Sequence, residues 1–142
     1  MKTAHQLIEA KGNVIHAVAP QTLVYDALLI MAEHHIGAVL VLKGEELVGI
    51  FSERDYAREV TLKGKTSKTT TIGEIMTTKL ITVTPSSTVE ECMQLMSGKR
   101  IRHLPVMDNN RVVGLLSIGD LVQATIEYQQ FLIKQLESYI QG

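Results

Sequence analysis

The feature that most constrains this chain is an internal repeat. Shifting the sequence by 65 positions aligns residues 14–55 with residues 79–120 without a gap, and ten aligned positions are identical. The shared residues include the glycine, serine and aspartate of two matching segments, GIFSERD (49–55) and GLLSIGD (114–120). Repeat arrays usually have shorter periods and more copies. A single duplication of this length therefore favours two similar lobes over a stacked array.

Both copies contain the same order of predicted elements. The segments 14–18 and 80–84 are short strand candidates that end near a proline, which cannot donate to a central ladder. Thr22 and Ser87 follow as candidate N-caps, and apolar residues at helical spacing then predict an amphipathic helix. Two apolar runs of strand length form a hairpin, and a further helix begins after it. Each copy therefore reads strand, helix, strand, strand, helix.

This order predicts an α+β fold in which small sheets pack with helices. Predicted domains are residues 1–70, with an N-terminal helix, the first repeat and a linker, and residues 71–128, with the second repeat. Residues 129–142 are expected to form a C-terminal helical extension. The threonine- and lysine-rich linker is expected to be solvated in its first half, with GEIM as a short helical turn.

Composition excludes several classes of protein. Hydrophobic residues make up 45% of the chain and the net charge is −1, which is typical of a soluble globular domain. Because there is no global basic field, neither nucleic acid nor a membrane surface is an expected partner. The opening residues do not resemble a signal peptide, so a cytoplasmic location is expected. The single cysteine, Cys92, lies among apolar residues at helical spacing and is expected to be a buried hydrophobe.

The repeated polar corner consists of Ser52 with Asp55 and Ser117 with Asp120, each placed where a strand gives way to a helix. One interpretation is a capping box, in which the serine and the acid satisfy backbone N–H groups. The other is a binding site, because a carboxylate can accept from both hydroxyls of a ribose and a helix N-terminus favours phosphate. Two copies in register favour the binding interpretation.

Both corner segments resemble the signature of the CBS (cystathionine-beta-synthase) domain: glycine, apolar residues, serine or threonine, two variable residues and aspartate. RIRHLPVMD (100–108) also resembles the second-strand pattern of that family. The resemblance covers Val14 to about Thr125, as in the tandem CBS pair called a Bateman module. It implies two βαββα repeats related by a pseudo-two-fold axis.

The function implied by the resemblance is a stand-alone regulatory sensor that binds adenine nucleotide and catalyses no reaction. AMP is the first expected ligand, followed by NAD or NADH, ADP and ATP. Two CBS pairs commonly meet through their helices, so a homodimer is expected. The 142 residues leave little room for an effector domain. The output is therefore expected in trans, with a client protein as a further partner.

In this family each cleft combines the aspartate of one repeat with the first strand of the other. The resemblance assigns the main cleft to Val14, Ile15, His16, Ile36, Gly37, Arg102, His103, Ser117, Gly119 and Asp120. It assigns a second cleft to Ser52, Arg54, Asp55, Lys79, Leu80 and Ile81. Arg102 and His103 occupy the basic phosphate position, whereas Gly37 and Ala38 are their uncharged counterparts. The Asp120 cleft is therefore the predicted stronger site.

Other readings stay open. His103 and Asp120 could serve as an acid and a base, but no activated nucleophile or phosphate loop accompanies them. His34 and His35 lack the spacing of a metal site and are expected to end the first helix of repeat one. A structural dimer with empty clefts is the main alternative, because capped helices also explain the serines and acids. The C-terminal tail carries a stripe of side chains at helical spacing, formed by Leu121, Thr125, Tyr128, Leu132, Leu136 and Tyr139. Such a stripe is expected to be covered by another protein surface, either a second copy of the chain or a client protein.

Overall fold

The fold is mixed α+β, and this computed structural model describes residues 1–141 with one three-stranded and one two-stranded sheet. Two units are distinguished by their internal contacts. The N-repeat unit contains Val14–Ile81 and Asn109–Val112, and the C-repeat unit contains Met1–Asn13, Thr82–Asp108 and the residues from Val113 onward. This grouping is spatial, so the sequence boundaries at residues 70 and 128 stay predictions. Gly142, the last residue of the predicted extension, lies outside the described residues.

The N-repeat unit is built around a three-stranded sheet. Strand β1 (Ala17–Val18) pairs in parallel with β2 (Ala38–Lys43), and β2 pairs antiparallel with β3 (Glu46–Ser52). Phe51, Val39 and Val41 from this sheet are fully buried in its core. The elements of the unit are β1 (Ala17–Val18), α2 (Val24–His34), β2 (Ala38–Lys43), β3 (Glu46–Ser52), α3 (Glu53–Asp55), a π-helical segment (Tyr56–Thr61) and α4 (Ile72–Ile75).

The C-repeat unit contains the long C-terminal helix and the helix at the start of the chain. Its buried residues include Leu104 and Leu116 from the strands and Cys92 from the central helix, which confirms the expected burial of that cysteine. The elements are α1 (Ala4–Ala10), α5 (Val89–Lys99), β4 (His103–Asp108), β5 (Arg111–Ser117), which enters this unit at Val113, and α6 (Ile118–Gln141).

The predicted first strand of each repeat is shorter than expected. Residues 14–18 contribute only β1, and in the second repeat Val83 forms an isolated parallel bridge to Val106. In the N-repeat sheet the Leu40 N–H donates to the His16 carbonyl at 3.1 Å. The corresponding position of the second repeat is Pro105, which has no N–H to donate. The ladder there stops after one bridge.

The predicted caps of α2 and α5 are wrong by one residue. Thr88, not Ser87, caps α5 by accepting the Glu91 N–H, and the N-cap of α2 is Leu23, whose side chain makes no cap bond. Thr22 instead accepts the Ala19 N–H at 3.1 Å, as Ser87 accepts that of Thr84 at 3.1 Å. Both hydroxyls therefore close the turn around the preceding proline.

The first half of the linker is solvated as predicted, since residues 61–69 are exposed except for half-buried Ser67, whereas the next residue is packed. Thr70 is buried, and its carbonyl accepts the Val24 N–H at 2.9 Å. The Ser67 carbonyl likewise accepts the Tyr25 N–H at 3.0 Å. The first N–H groups of a helix have no partners within the helix. These carbonyls accept hydrogen bonds from two of them, in place of a capping side chain. The predicted helical turn at GEIM is confirmed as α4.

Helix α1 is attached to the C-repeat unit at several points. The Ala4 N–H donates to the Ser87 carbonyl at 2.8 Å, and the Lys2 carbonyl accepts the Val89 N–H at 3.1 Å. At the other end of the helix, Ile8 is buried and Lys11 is the C-cap. The helix therefore belongs to the core of this unit.

The signature glycine of each repeat is a point of close approach. A Cβ on Gly114 would lie 2.2 Å from Cδ1 of Ile8, and a Cβ on Gly49 would lie 2.6 Å from the sulfur of Met76 and 3.0 Å from the Thr77 carbonyl oxygen. All three distances are shorter than van der Waals contact, and the two to Ile8 and to the Met76 sulfur are far shorter. The glycine of the signature is therefore required because the segment that precedes each repeat packs directly on the last strand of the hairpin.

We expect Gly114→Ala to lower the free energy of unfolding by about 1–3 kcal/mol, the usual range for overpacking a core. Gly98→Ala is the matched control, because Gly98 lies in α5 and a Cβ there meets no atom within 4 Å. That control should raise stability by roughly 0.5–1 kcal/mol through helix propensity. Urea denaturation of both variants provides the measurement. Equal stabilities of Gly114→Ala and wild type would show that Ile8 does not press on this strand.

Candidate functional site

The two polar corners are built in the same way at the junction of a strand and a helix. In the N-repeat unit the Glu53 N–H, the first of α3, donates to the Gly37 carbonyl at 3.0 Å. In the C-repeat unit the Ile118 N–H, the first of α6, donates to the Arg102 carbonyl at 2.9 Å. Each corner therefore lies beside the residue that precedes the first hairpin strand.

In the N-repeat corner, Ser52 and Asp55 form a capping box. The Asp55 N–H donates to Oγ of Ser52 at 3.3 Å, and Oδ2 of Asp55 accepts from the N–H and the hydroxyl of Ser52 at 2.9 and 3.1 Å. The second carboxylate oxygen, Oδ1, accepts the Thr77 hydroxyl at 3.0 Å. The acid is thus held by its own corner and by the segment that follows α4.

In the C-repeat corner, Ser117 and Asp120 form the same reciprocal cap. The Asp120 N–H donates to Oγ of Ser117 at 3.2 Å, and Oδ2 of Asp120 accepts the Ser117 N–H at 2.8 Å. The same Oδ2 accepts a second bond, at 2.7 Å, from the ammonium of Lys11. Lys11 also donates to the Leu115 carbonyl at 2.9 Å.

The structure therefore confirms that both corners are capping boxes, and the same geometry is compatible with binding a ligand. An ionised carboxylate offers about four acceptor directions on its two oxygens, so a capping acid keeps the capacity to accept from a diol. Asp55 and Asp120 are both half-buried rather than enclosed. The caps fix each carboxylate beside the N-terminus of a helix. In the C-repeat unit that helix is α6, which is 24 residues long and has a positive N-terminal dipole end.

The predicted phosphate residues lie next to the Asp120 corner. Arg102 is exposed, and its carbonyl accepts the first N–H of α6, while His103 begins β4 and is half-buried. The guanidinium is suited to phosphate because it presents several donors in a fixed plane. Arg102, His103, Ser117, Gly119 and Asp120 thus belong to one unit. A Cβ on Gly119 would make only ordinary contact, at 3.6 Å from Oγ of Ser117.

The other residues predicted for the main cleft lie in the N-repeat unit. Val14 and Ile15 are exposed, and the ring of His16 stacks on that of His34 with centroids 4.1 Å apart. Ile36 and Gly37 line an open groove of about 460 Å³ at the C-terminal end of α2. The assignment of these residues to an Asp120 cleft stays a prediction.

The residues predicted for the second cleft all belong to the N-repeat unit. Arg54 follows the first residue of α3 and is exposed, as is Lys79, whereas Leu80 and Ile81 are half-buried. Thr77, two residues before Lys79, forms an antiparallel bridge with Ile50. This bridge brings the start of the segment to the corner. The contact to Asp55 comes from the Thr77 hydroxyl.

Lys11 and Thr77 are the site residues that the sequence reading missed. The 65-residue shift places Lys11 opposite Met76, three positions before the repeat alignment begins. Extending the alignment toward the N-terminus would have drawn attention to the segment that precedes each repeat. The identity of the contacting side chains would still have been hidden, since Lys11 and Thr77 are not aligned with each other.

Other candidate chemistry is limited in the described part of the chain. No group of three or more histidine, cysteine, aspartate or glutamate side chains among residues 1–141 could hold a metal ion. His34 ends α2 and His35 is its C-cap, as predicted.

Burial raises the pKa of the Cys92 thiol, so the thiolate is disfavoured at neutral pH. Among residues 1–141, no helix combines the length and hydropathy that a membrane span requires.

Comparison with known proteins gives a consistent result. The family model of the CBS domain matches residues 12–61 and 72–127. The CBS domain-containing protein CBSX3, mitochondrial, of Arabidopsis thaliana is 47% identical over 138 residues, which are 94% of this chain and 66% of that protein. This chain thus spans about two thirds of the length of that relative.

Solved structures agree with the sequence matches. A protein with CBS domains from Burkholderia ambifaria MC40-6 is 47% identical, with a TM-score of 0.85 and coverage of 89% of this chain and 95% of that one. The structure of CBSX2 in complex with AMP is 29% identical, with a TM-score of 0.74 and coverage of 91% and 99%.

The reciprocal caps predict that each serine contributes to stability without any ligand. We expect Ser117→Ala and Ser52→Ala each to lower the free energy of unfolding by about 0.5–2 kcal/mol, the range for loss of an N-cap. Ser97→Ala is the control, because Ser97 is exposed on α5 and alanine favours a helix. Chemical denaturation compares the three variants. A Ser117→Ala protein as stable as Ser97→Ala would contradict the cap.

Proposed function

Because this chain belongs to the CBS domain family as a tandem pair, we propose that it is a regulatory module that binds an adenine nucleotide and acts in trans as a homodimer. AMP is the first proposed ligand, followed by NAD or NADH, ADP and ATP. The proposed role is binding without conversion of the nucleotide. A cytoplasmic location also stays a prediction, since the relative CBSX3 is described as mitochondrial.

The observation that carries the proposal is the arrangement within the C-repeat unit. Ser117 and Asp120 fix a carboxylate at the N-terminus of α6, and Arg102 lies beside the same helix start. A diol acceptor next to a basic residue and a helix N-terminus matches the ribose and phosphate of a nucleotide. The similar protein CBSX2 has been solved in complex with AMP, which supports adenine as the base.

Each part of the nucleotide has a proposed partner. Asp120 accepts from the ribose hydroxyls, while Arg102 and His103 contact the phosphate. AMP and the adenylate half of NAD present the same ribose and phosphate, so this corner by itself fits both. The adenine contacts are proposed from the family resemblance alone, and they are Val14, Ile15, His16, Ile36 and Gly37.

The Asp55 corner is proposed as a second, weaker site. Its carboxylate is held in the same kind of cap, and Arg54 and Lys79 are the cations nearest in sequence. At the position equivalent to Arg102 it carries Gly37, which adds no charge. The phosphate is therefore expected to contribute less to binding at this corner.

A structural dimer with empty clefts is the second candidate function. The caps favour this structural role because they explain why both corners contain a serine and an aspartate. Each of these side chains accepts a bond from a backbone N–H group, and no ligand is required. The two functions differ in a thermal-shift panel of AMP, ADP, ATP, NAD and NADH. A ligand that binds only the folded protein raises its melting temperature by mass action. No shift with any of these ligands would favour the structural role.

Helix α6 is the proposed dimer element. Thr125 is still packed, donating to the Leu121 carbonyl at 2.9 Å and to the sulfur of Met93 at 3.4 Å. Farther along the same stripe the exposure of the side chains rises, to 62% at Leu136 and 85% at Tyr139. An apolar stripe of this kind is expected to be covered, and a second copy of the chain is the proposed cover. A client protein is the alternative.

We expect Asp120→Ala to weaken AMP binding by roughly 10- to 150-fold, since a hydrogen bond to a charged group contributes about 1.5–3 kcal/mol. Asp55→Ala should weaken it less. Glu127→Ala is the matched control, because Glu127 is an exposed acid on the same helix. Isothermal titration calorimetry measures the affinities. Unchanged affinity in Asp120→Ala would contradict the assignment, and a larger loss in Asp55→Ala would reverse the ranking of the corners.

Removing residues 129–142 should weaken the dimer while leaving both polar corners intact, because the deleted turns carry the exposed part of the stripe. Light scattering gives the dimer dissociation, and calorimetry with AMP provides the check that binding survives. If the truncated chain is as dimeric as the full chain and binds AMP in the same way, the stripe is free for a client protein.

A further inference from the structure

We propose that Lys11 is a built-in cationic occupant of the Asp120 corner, which the ribose of an incoming nucleotide must displace. This inference rests on the proposed function, because it concerns the same carboxylate. It adds a residue outside the family signature that sets the affinity of the stronger site. It also names the chemical event that accompanies binding, which is the exchange of an ammonium for a diol.

The carboxylate of Asp120 has a limited number of acceptor directions. Its Oδ2 accepts the Ser117 N–H at 2.8 Å and the Lys11 ammonium at 2.7 Å. A carboxylate oxygen has about two acceptor directions, so both directions on Oδ2 are in use. A vicinal diol that binds across the two oxygens needs one of them. The proposed diol places one hydroxyl on each carboxylate oxygen, and in that geometry one existing bond to Oδ2 has to break.

The two bonds to Oδ2 of Asp120 differ in what their loss would cost. The Ser117 N–H bond belongs to the cap of α6, and its loss would disturb the start of a 24-residue helix. The Lys11 side chain is 40% exposed and that of Asp120 is 23% exposed. Moving Lys11 breaks its bonds to Asp120 and to the Leu115 carbonyl. A long, partly solvated lysine regains contact with water when it moves, and ion pairs of this kind contribute little net stability. Lys11 is therefore the partner that gives way.

The Asp55 corner of the other repeat differs in the corresponding contact. At Asp55 the contact from the preceding segment is the neutral Thr77 hydroxyl, which binds Oδ1 at 3.0 Å. A hydroxyl can rotate and exchange partners without separating two charges. The duplicated site thus holds a neutral donor in one copy and an ammonium in the other, so displacement at Asp120 depends on ionic strength.

The experiment titrates the full chain with adenosine and with 2′,3′-dideoxyadenosine by calorimetry at low salt. Adenosine carries the diol but no phosphate, so attraction between Lys11 and phosphate does not enter. We expect Lys11→Met to bind adenosine about three- to fivefold more tightly than wild type, the scale of a partly exposed ion pair. Its affinity for dideoxyadenosine should not change. Lys11→Arg keeps the cation and should bind adenosine no more tightly than wild type.

Lys2→Met is the matched control. Lys2 belongs to the same N-terminal segment and pairs with Glu127 of α6 at 3.6 Å, away from the Asp120 carboxylate. Its adenosine affinity should equal that of wild type. An equal gain in Lys2→Met and Lys11→Met would overturn the proposal, because general loosening of the N-terminal segment would then be the cause.

Equal or weaker adenosine binding by Lys11→Met, with wild type binding AMP, would also overturn it while leaving the proposed function intact. AMP is therefore titrated into both proteins. If neither binds AMP or adenosine, the proposed function fails and this inference with it. Adenosine binding that appears only in Lys11→Met would support the displacement.

Discussion

The reciprocal cap between serine and aspartate at each strand-to-helix junction is the interaction on which the site depends. It turns the carboxylate toward the Ser117 N–H in one unit and the Ser52 N–H in the other, at 2.8 and 2.9 Å. It also starts the helix whose first N–H binds the residue before the hairpin. One local set of hydrogen bonds therefore fixes an acid, a helix N-terminus and, in the C-repeat unit, the backbone of Arg102. The same geometry is therefore compatible with both capping and the proposed ligand binding.

The segment that precedes each repeat completes this arrangement. It packs on the signature glycine, through Ile8 at Gly114 and through Met76 at Gly49. Because the segment passes so close to the strand, a side chain that follows the packing residue, Lys11 or Thr77, reaches the signature aspartate. The duplicated contact has diverged in chemistry, since an ammonium reaches Asp120 and a hydroxyl reaches Asp55. The two corners therefore differ in the group that the proposed ligand would displace, as well as in the residues proposed to bind phosphate.

Much of the fold could be read from the sequence because periodicity and repetition report local structure. The amphipathic helices, the hairpins and the Ser–Asp corners follow from apolar spacing and from the repeat. The shortened first strands could not be read from apolar runs, since Pro105 limits the ladder by lacking an N–H. The cap of α2 was missed because the carbonyls of Ser67 and Thr70 come from a distant segment. Lys11 was missed for the same reason, as its contact with Asp120 joins residues more than 100 positions apart.

The central claim is that the Asp120 corner receives the ribose and phosphate of an adenine nucleotide. The most direct test is a titration of ¹⁵N-labelled protein with AMP, followed by backbone amide chemical shifts. The account predicts that the largest shifts within the C-repeat unit fall at the start of α6, from Ser117 to Leu121, and at Arg102 and His103. Saturable AMP binding that leaves these amides unchanged would contradict it.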